Sequence, residues 1–151
     1  MRGLKLIVLV FLSITFGSCA STIEQQEIPS VVINAVMTKY PDATDLEWEV
    51  KNGVYAAEFD LGKEDYEVWV NPQGTILKVE QEIEHTEIPA AVIAKVKADF
   101  NGFKLDDAKR VEIAKNTYYE IELDGTLGDQ KVVYSAKGEK QDPSILTQIG
   151  K

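Results

Sequence analysis

Cysteine, histidine and recognisable catalytic motifs are scarce in this sequence of 151 residues. The single cysteine, Cys19, excludes an intramolecular disulfide framework and a cysteine-based zinc site. The single histidine, His85, could act as a general base for a nucleophile, but the sequence has no G-x-S-x-G nucleophile motif. A glycine-rich phosphate-binding loop is also absent from the sequence. We therefore expect no catalytic residues, no cofactor and no enzymatic activity.

Basic residues are also few. The chain has 16 Lys and Arg against 25 Asp and Glu, which gives a formal net charge of −9. Because nucleic-acid binding needs basic patches, this balance argues against a nucleic-acid partner. Hydrophobic residues make up 44% of the chain, so a packed core is expected in one ordinary domain or two very small ones.

The N-terminus predicts a bacterial export signal over residues 1–19. A basic start is followed by an apolar run from Leu6, and the run is too short for a transmembrane helix of about 20 residues. The segment Phe16-Gly17-Ser18-Cys19 resembles a lipobox, so we expect lipid attachment at Cys19 and a linker over residues 20–26. Ordinary cleavage after Ala20 is the alternative.

The remaining chain contains a predicted tandem repeat. The stretch EIPSVVINAVMTKY from Glu27 is matched by EIPAAVIAKVKADF from Glu87, at an offset of 60. Two later matches follow. The first aligns Glu58 with Glu120 at an offset of 62, and the second aligns Trp69 with Val133 at an offset of 64. We predict repeats over residues 27–84 and 85–142, and a C-terminal tail over residues 143–151.

Hydrophobic periodicity predicts the same elements in each repeat. An apolar stripe of helical period follows Pro29 and Pro89, and alternation of period two follows each helix. Strands are predicted over residues 46–51, 55–61, 66–70 and 75–83, then over 110–114, 117–123 and 131–135. The last strand is weak because residues 138–144 are polar and include a proline. The predicted fold is α+β: twice, a helix followed by a three- or four-stranded antiparallel meander.

Carboxylates alternate with apolar residues along the predicted strands, as at Glu47 and Glu49, which indicates a solvated sheet face. The acidic segment around His85 could suggest zinc, but no second histidine is available. The loop over residues 124–129 lacks the calcium-binding spacing. We predict no metal site.

One surface is singled out by the strand register. If Val68 and Val70 point inward, Trp69 points to the outer face of the sheet beside polar neighbours, as in a protein-binding hot spot. The alternative is that another element covers this face and buries Trp69. The candidate protein-binding residues are Trp69, Ile76, Tyr118, Val133, Glu58 and Glu67.

The sequence resembles the PepSY-like family, which is related to the fold of the β-lactamase-inhibitor protein. The matching features are the helix-opening Ile28-Pro29 and Ile88-Pro89, the exit Tyr40-Pro41-Asp42-Ala43, Trp48, and the hairpin YEVWVNPQGTILKVE. This resemblance implies a helix-plus-antiparallel-sheet fold, often in tandem. It also implies binding or inhibition of proteins outside the cytoplasm.

Our leading hypothesis is thus a non-enzymatic protein of the cell envelope that binds or inhibits another exported protein through an acidic sheet face with aromatic anchors. It would reach the membrane only through its N-terminal lipid, in the periplasm or at the outer membrane. A regulator of an exported peptidase and a cation-binding envelope module are the alternatives.

Overall fold

A computed structural model of the protein describes residues 28–126 and 128–149. The export signal, Cys19 and the linker over residues 20–26 lie outside the described residues, so the expectations for them stay predictions. In chain order the elements are α1 (Ser30–Lys39), β1 (Thr44–Lys51), β2 (Val54–Leu61), β3 (Glu64–Val70), β4 (Ile76–Glu82), a 3-10 turn (His85–Glu87), α2 (Ala90–Asp99), β5 (Lys104–Ile113), β6 (Asn116–Asp124), β7 (Gln130–Ser135), β8 (Lys140–Gln141) and a second 3-10 helix (Pro143–Thr147).

The two helices form as predicted, and each starts one residue after its proline. Pro29 and Pro89 occupy the N-cap positions, where φ near −60° is compatible with the proline ring. The carbonyl of Pro29 accepts the first helical hydrogen bond, from the N–H of Val32 at 2.8 Å. The helices end at Tyr40 and Phe100, whose N–H groups close the last turns.

All eight strands belong to one antiparallel sheet in sequential order, β1 to β8. A helix followed by four strands therefore occurs twice along the chain. β4 pairs with β5, from Lys78 opposite Ile113 to Glu82 opposite Lys109, so the sheet runs without a break across both halves. The weak last strand of the sequence is β8, which has only two residues.

Both helices pack on the same face of the sheet, the inner face. Under α1, Val32 and Val36 pack with a cluster that contains Phe59 and Val68. Under α2, Val92 and Val96 pack with a second cluster around Ile121 and Tyr134. Burial of these side chains removes apolar surface from water and is the main stabilising contribution of each half.

A polar junction separates the two apolar clusters. Gln81, only 4% exposed, accepts a hydrogen bond from Arg110 and donates one to Glu64 at 2.5 Å. The hydroxyl of Tyr66 donates to the same carboxylate at 3.3 Å, and burial together with Glu64 raises the pKa of Tyr66 to about 12. Because each buried polar group has a partner, the junction does not carry an unsatisfied donor or acceptor.

The C-terminal tail predicted from the sequence is a defined element. Pro143–Thr147 forms the second 3-10 helix, which we call the strap, and the Asp142 carboxylate caps it by accepting from the N–H of Ser144 at 2.8 Å. The strap lies on the face of the sheet opposite the helices, the outer face, where Leu146 packs against Val111 and Val133. The apolar residues of the strap, Ile145 and Leu146, are too few to give a periodicity signal, so the sequence did not predict this packing.

Two strand predictions need correction. β5 begins at Lys104 rather than residue 110, because Lys104 and Leu105 pair with β6 beyond a bulge between Leu105 and Ala108. Ile76 packs with the inner cluster and not on the outer face, since a bulge at Leu77 shifts the register and places Ile76 opposite Val70.

Gly74 permits a close approach between α1 and the β3–β4 turn, which gives a test of the fold. Gly53 and Gly74 both have positive φ, but a Cβ on Gly74 would lie 2.9 Å from the Val31 carbonyl oxygen, whereas one on Gly53 would meet nothing within 4 Å. Gly53→Ala should cost about 1 kcal/mol of unfolding free energy from backbone strain. Gly74→Ala should cost clearly more, as measured by urea denaturation; equal losses would contradict this packing.

Candidate functional site

Four glutamates lie side by side on the outer face of β1–β4. Glu47 is directly opposite Glu58, Glu58 opposite Glu67, and Glu67 opposite Glu80. They share the outer face because their strand neighbours, such as Phe59 and Val68, are buried on the inner one. We call these four residues the glutamate row. Directly opposed like charges destabilise an antiparallel pair, so the row opposes folding.

Three lysines partly neutralise the glutamate row. Lys51 Nζ lies 2.8 Å from Glu49 and 3.6 Å from Glu67, and Lys78 Nζ lies 2.8 Å from Glu80. Lys109 Nζ is 4.0 Å from the other oxygen of Glu80. The lysines are thus gathered at one end of the row, towards Glu67 and Glu80.

Two carboxylates of this face have a raised pKa. Burial raises the pKa of Glu67, and the nearby Glu80 and Glu58 act in the same direction against Lys51 and Lys78. Partial desolvation also raises the pKa of Asp60, assisted by Asp65 directly opposite on β3. Asp60 and Glu67 therefore hold their negative charge less readily than free side chains do.

Trp69 lies on the outer face next to the glutamate row but is not an exposed anchor. It is only 7% exposed because Lys78 covers it, with Nζ 3.5 Å from the ring centre. Lys78 is itself buried, and its ammonium also donates to the Leu146 carbonyl of the strap at 3.2 Å. The cation–π contact and these polar partners offset the loss of hydration of the buried ammonium. Of the two alternatives for Trp69, the structure shows burial.

The candidate residues of the second half are covered by the strap. Val133 is fully buried and Tyr118 partly buried where Leu146 and Ile145 pack on them. The expectation that Trp69, Val133 and Ile76 offer exposed apolar contacts is therefore wrong, because Lys78, the strap and the bulge at Leu77 intervene. Glu58 is exposed and Glu67 partly exposed, side by side on the open part of the outer face.

A cavity of about 120 Å³ lies beside the glutamate row. It is bordered by three members of the row together with Asp65, Glu82 and Lys109. The neighbouring cavity, of about 210 Å³, lies where Glu82 of β4 meets the second half, and Glu120 and Glu122 also border it. There Lys131 reaches both carboxylates, at 3.2 and 2.6 Å, and it holds the pKa of Glu122 below its usual value.

Other polar groups of the described residues form no comparable site. The exposed Asp106 and Asp107 and the partly exposed Glu122 lie within 4.8 Å of one another. His85, in the acidic segment noted in the sequence, contacts the Asp106 carbonyl oxygen through Nε2 at 2.8 Å and is exposed. No helix of the described residues is long and apolar enough to cross a membrane.

Two helices on one face of an eight-stranded antiparallel sheet define an α+β protein whose other face is partly open. The sequence matches the PepSY-like family, described as putative beta-lactamase-inhibitor-like, over residues 53–141. The chain belongs to this family.

Solved structures share the fold. A putative periplasmic protein from Bacteroides eggerthii is 22% identical with a TM-score of 0.70, and 76% of this chain and 86% of that chain are covered. A BLIP-like protein from Bacteroides fragilis is 22% identical with a TM-score of 0.66, over 76% and 83%. A DUF2874 family protein from Bacteroides uniformis is 21% identical with a TM-score of 0.69, over 76% and 86%. No curated protein matches the sequence.

Sequence reasoning missed Glu80 and Lys78 as parts of this surface. The alternation of β4 would have placed both on the outer face, but their contacts depend on the strand register beyond the bulge. No sequence signal indicated that Lys78 would cover Trp69.

The burial of Trp69 gives a stability prediction. Trp69→Ala removes a large buried ring and leaves the Lys78 ammonium without its cation–π partner, so it should cost roughly 3 kcal/mol or more of unfolding free energy. Glu47→Ala, at the exposed end of the row, is the matched control and should change stability by under about 0.5 kcal/mol. Chemical denaturation measures both; a small loss for Trp69→Ala would mean that the ring is exposed.

The raised pKa of Glu67 gives a prediction on pH. Because the native state binds the Glu67 proton more tightly than the unfolded chain does, ionised Glu67 destabilises the fold above its native pKa. Glu67→Gln should therefore be more stable than wild type at pH 7. This advantage should shrink as the pH falls through the native pKa towards the unfolded value of 4.5. Urea denaturation across this pH range checks it, and a gap independent of pH would contradict it.

Proposed function

We propose that this protein is a non-enzymatic binding module of the cell envelope that binds or inhibits another exported protein through the outer face of β1–β4. One observation carries this proposal: the outer face of β1–β4 presents the glutamate row, whereas α1 and α2 cover the inner face and the strap covers the outer face of the second half. A fold that retains opposed like charges on its open face is suited to a partner that neutralises them.

The family supports this class of function. Membership of a beta-lactamase-inhibitor-like family favours protein binding over catalysis. The contact surface we propose differs from the aromatic hot spot expected from the sequence. The proposed surface is acidic, with Glu58 and Glu67 at its centre. Trp69 contributes only indirectly, because Lys78 covers its ring and pairs with Glu80.

Export and anchoring belong to the same proposal. The predicted signal and lipid attachment at Cys19 would hold the domain at the envelope, where its partner is also exported. The likeness to a protein described as periplasmic supports this location.

We also propose that the two halves arose by duplication. The hairpins β2–β3 and β6–β7 pair in the same way at a constant offset of 64: Glu58 opposite Glu67, and Glu122 opposite Lys131. The pairing thus relates Glu58 to Glu122 rather than to Glu120, which the sequence match had suggested. A bulge begins β1 and β5 alike, in support of a common origin.

Photo-crosslinking in living cells tests the binding face. A benzophenone amino acid in place of Glu47 would lie on the outer face, and one in place of the exposed Lys97 would lie on the helix side as the control. We expect one defined exported protein joined through position 47 and little through position 97. Equal adducts at both positions, or none at position 47, would contradict the proposed face.

A further inference from the structure

The corresponding hairpins β2–β3 and β6–β7 carry opposite charges at one equivalent position on the outer face. In β6–β7, Lys131 lies opposite Glu122, and its ammonium is 2.6 Å from Glu122 and 3.2 Å from Glu120. The same position in β2–β3, 64 residues earlier, is Glu67, which lies opposite Glu58. The second half thus carries its own cation on the outer face, whereas the first half has a carboxylate in its place.

The space around this carboxylate is open. The cavity of about 120 Å³ beside the glutamate row is bordered by five acidic residues, one lysine and one tyrosine: Glu58, Asp65, Glu67, Glu80, Glu82, Lys109 and Tyr66. The ammonium of Lys109 is 4.0 Å from Glu80. Lys51 Nζ comes only to 3.6 Å from Glu67, and about half of the Lys51 side chain is exposed. Lys78, which also lies on the outer face, pairs with Glu80 at 2.8 Å, but among the described residues no lysine ammonium lies within 4.0 Å of Glu58 or closer than 3.6 Å to Glu67. Glu58 and Glu67 therefore lack the close contacts that Lys131 makes with Glu120 and Glu122.

The cavity does not have the spacing of a small metal ion site. Calcium draws several oxygens to about 2.5 Å from one centre. Among the described residues, the one carboxylate trio within 4.8 Å of one another is Asp106, Asp107 and Glu122, and none of these borders the cavity. More widely spaced carboxylates suit an extended cation, such as the guanidinium of arginine or the ammonium of lysine on its apolar stem.

We propose that this cavity accepts one Arg or Lys side chain of the protein partner, which supplies in trans the positive charge that Lys131 supplies within the second half. The inference rests on the proposed function, because it names the chemistry that the partner presents to the outer face. Binding would relieve the like-charge contact between Glu58 and Glu67 and so would also stabilise the fold.

A short peptide probe tests the cavity directly. The capped pentapeptide Thr-Val-Arg-Val-Thr is titrated into the isotopically labelled chain, and its analogue with citrulline, which keeps the shape but lacks the charge, is the control. We expect saturable shifts of the backbone amide signals of Glu58, Glu67 and Glu80 with the arginine peptide. Affinity for the citrulline peptide should be at least tenfold weaker, about 1.4 kcal/mol.

Charge reversal at corresponding positions separates binding from folding. Glu67→Lys places the missing cation within the chain, so it should abolish the arginine-dependent shifts without lowering the melting temperature. Lys131→Glu makes the second half resemble the first and should add a second set of shifts around Glu120 and Glu122. Retained peptide binding in Glu67→Lys, or equal shifts with citrulline, would overturn the proposal, and so would calcium chloride shifting the same three amides.

The two proposals can fail separately. If the photo-crosslinked partner still joins Glu67→Lys at position 47, the outer face binds a partner but the cavity does not read its positive charge. If the peptide binds as expected and no partner is found at position 47, the cavity exists and the proposed envelope function is wrong.

Discussion

The pairing of β4 with β5 is the contact on which the rest of the structure depends. It joins two helix-plus-strands halves, each with about 60 residues and therefore marginal alone, into one sheet of eight strands. Because the strands alternate side chains, a continuous sheet has two continuous faces, and both helices lie on one of them. The polar junction of Gln81, Arg110 and Glu64 fixes the register where the halves meet, since a slip of one residue would leave these buried groups without partners.

The outer face is divided by the strap and Lys78. The strap covers the second half with Leu146, and its carbonyl oxygen accepts a hydrogen bond from Lys78, which in turn covers Trp69 and pairs with Glu80. One lysine thus links the buried aromatic, the glutamate row and the C-terminal segment. As a result, the two halves present different outer surfaces, although their elements follow in the same order. The outer face of the second half is covered by apolar packing of the strap, whereas that of the first half is open and acidic.

Much of this could be predicted from the sequence. The prolines before the helices, the apolar stripe ending at Tyr40 and the alternation in each strand define the elements. The two-residue turn at Asn52-Gly53 also fixes the register of β1–β2, so the opposition of Glu47 and Glu58 was already implied. The opposition of Glu58 and Glu67 was not, because the turn predicted over residues 62–65 is shorter in the structure, where Leu61 pairs with Glu64. The bulge at Leu77 was not predictable, because nothing local in the sequence announces an extra residue, and it moved Ile76 to the inner face. The burial of Trp69 depends on Lys78 and on a strap from the far end of the chain, which are non-local contacts.

The glutamate row breaks a local rule of sheet stability, and the second half shows that the fold does not require this. With Lys131 opposite Glu122, the same hairpin geometry accommodates an ion pair that lowers the pKa of the carboxyl group, whereas Glu67 opposite Glu58 is held with a raised pKa. Positions that break a local rule without a structural need are where function is expected, because the destabilisation is offset by packing elsewhere. Here the offset comes from the core under α1 and from the lysines at one end of the row. The cavity that Glu58 and Glu67 border is then the place where we propose that a cation of the partner binds.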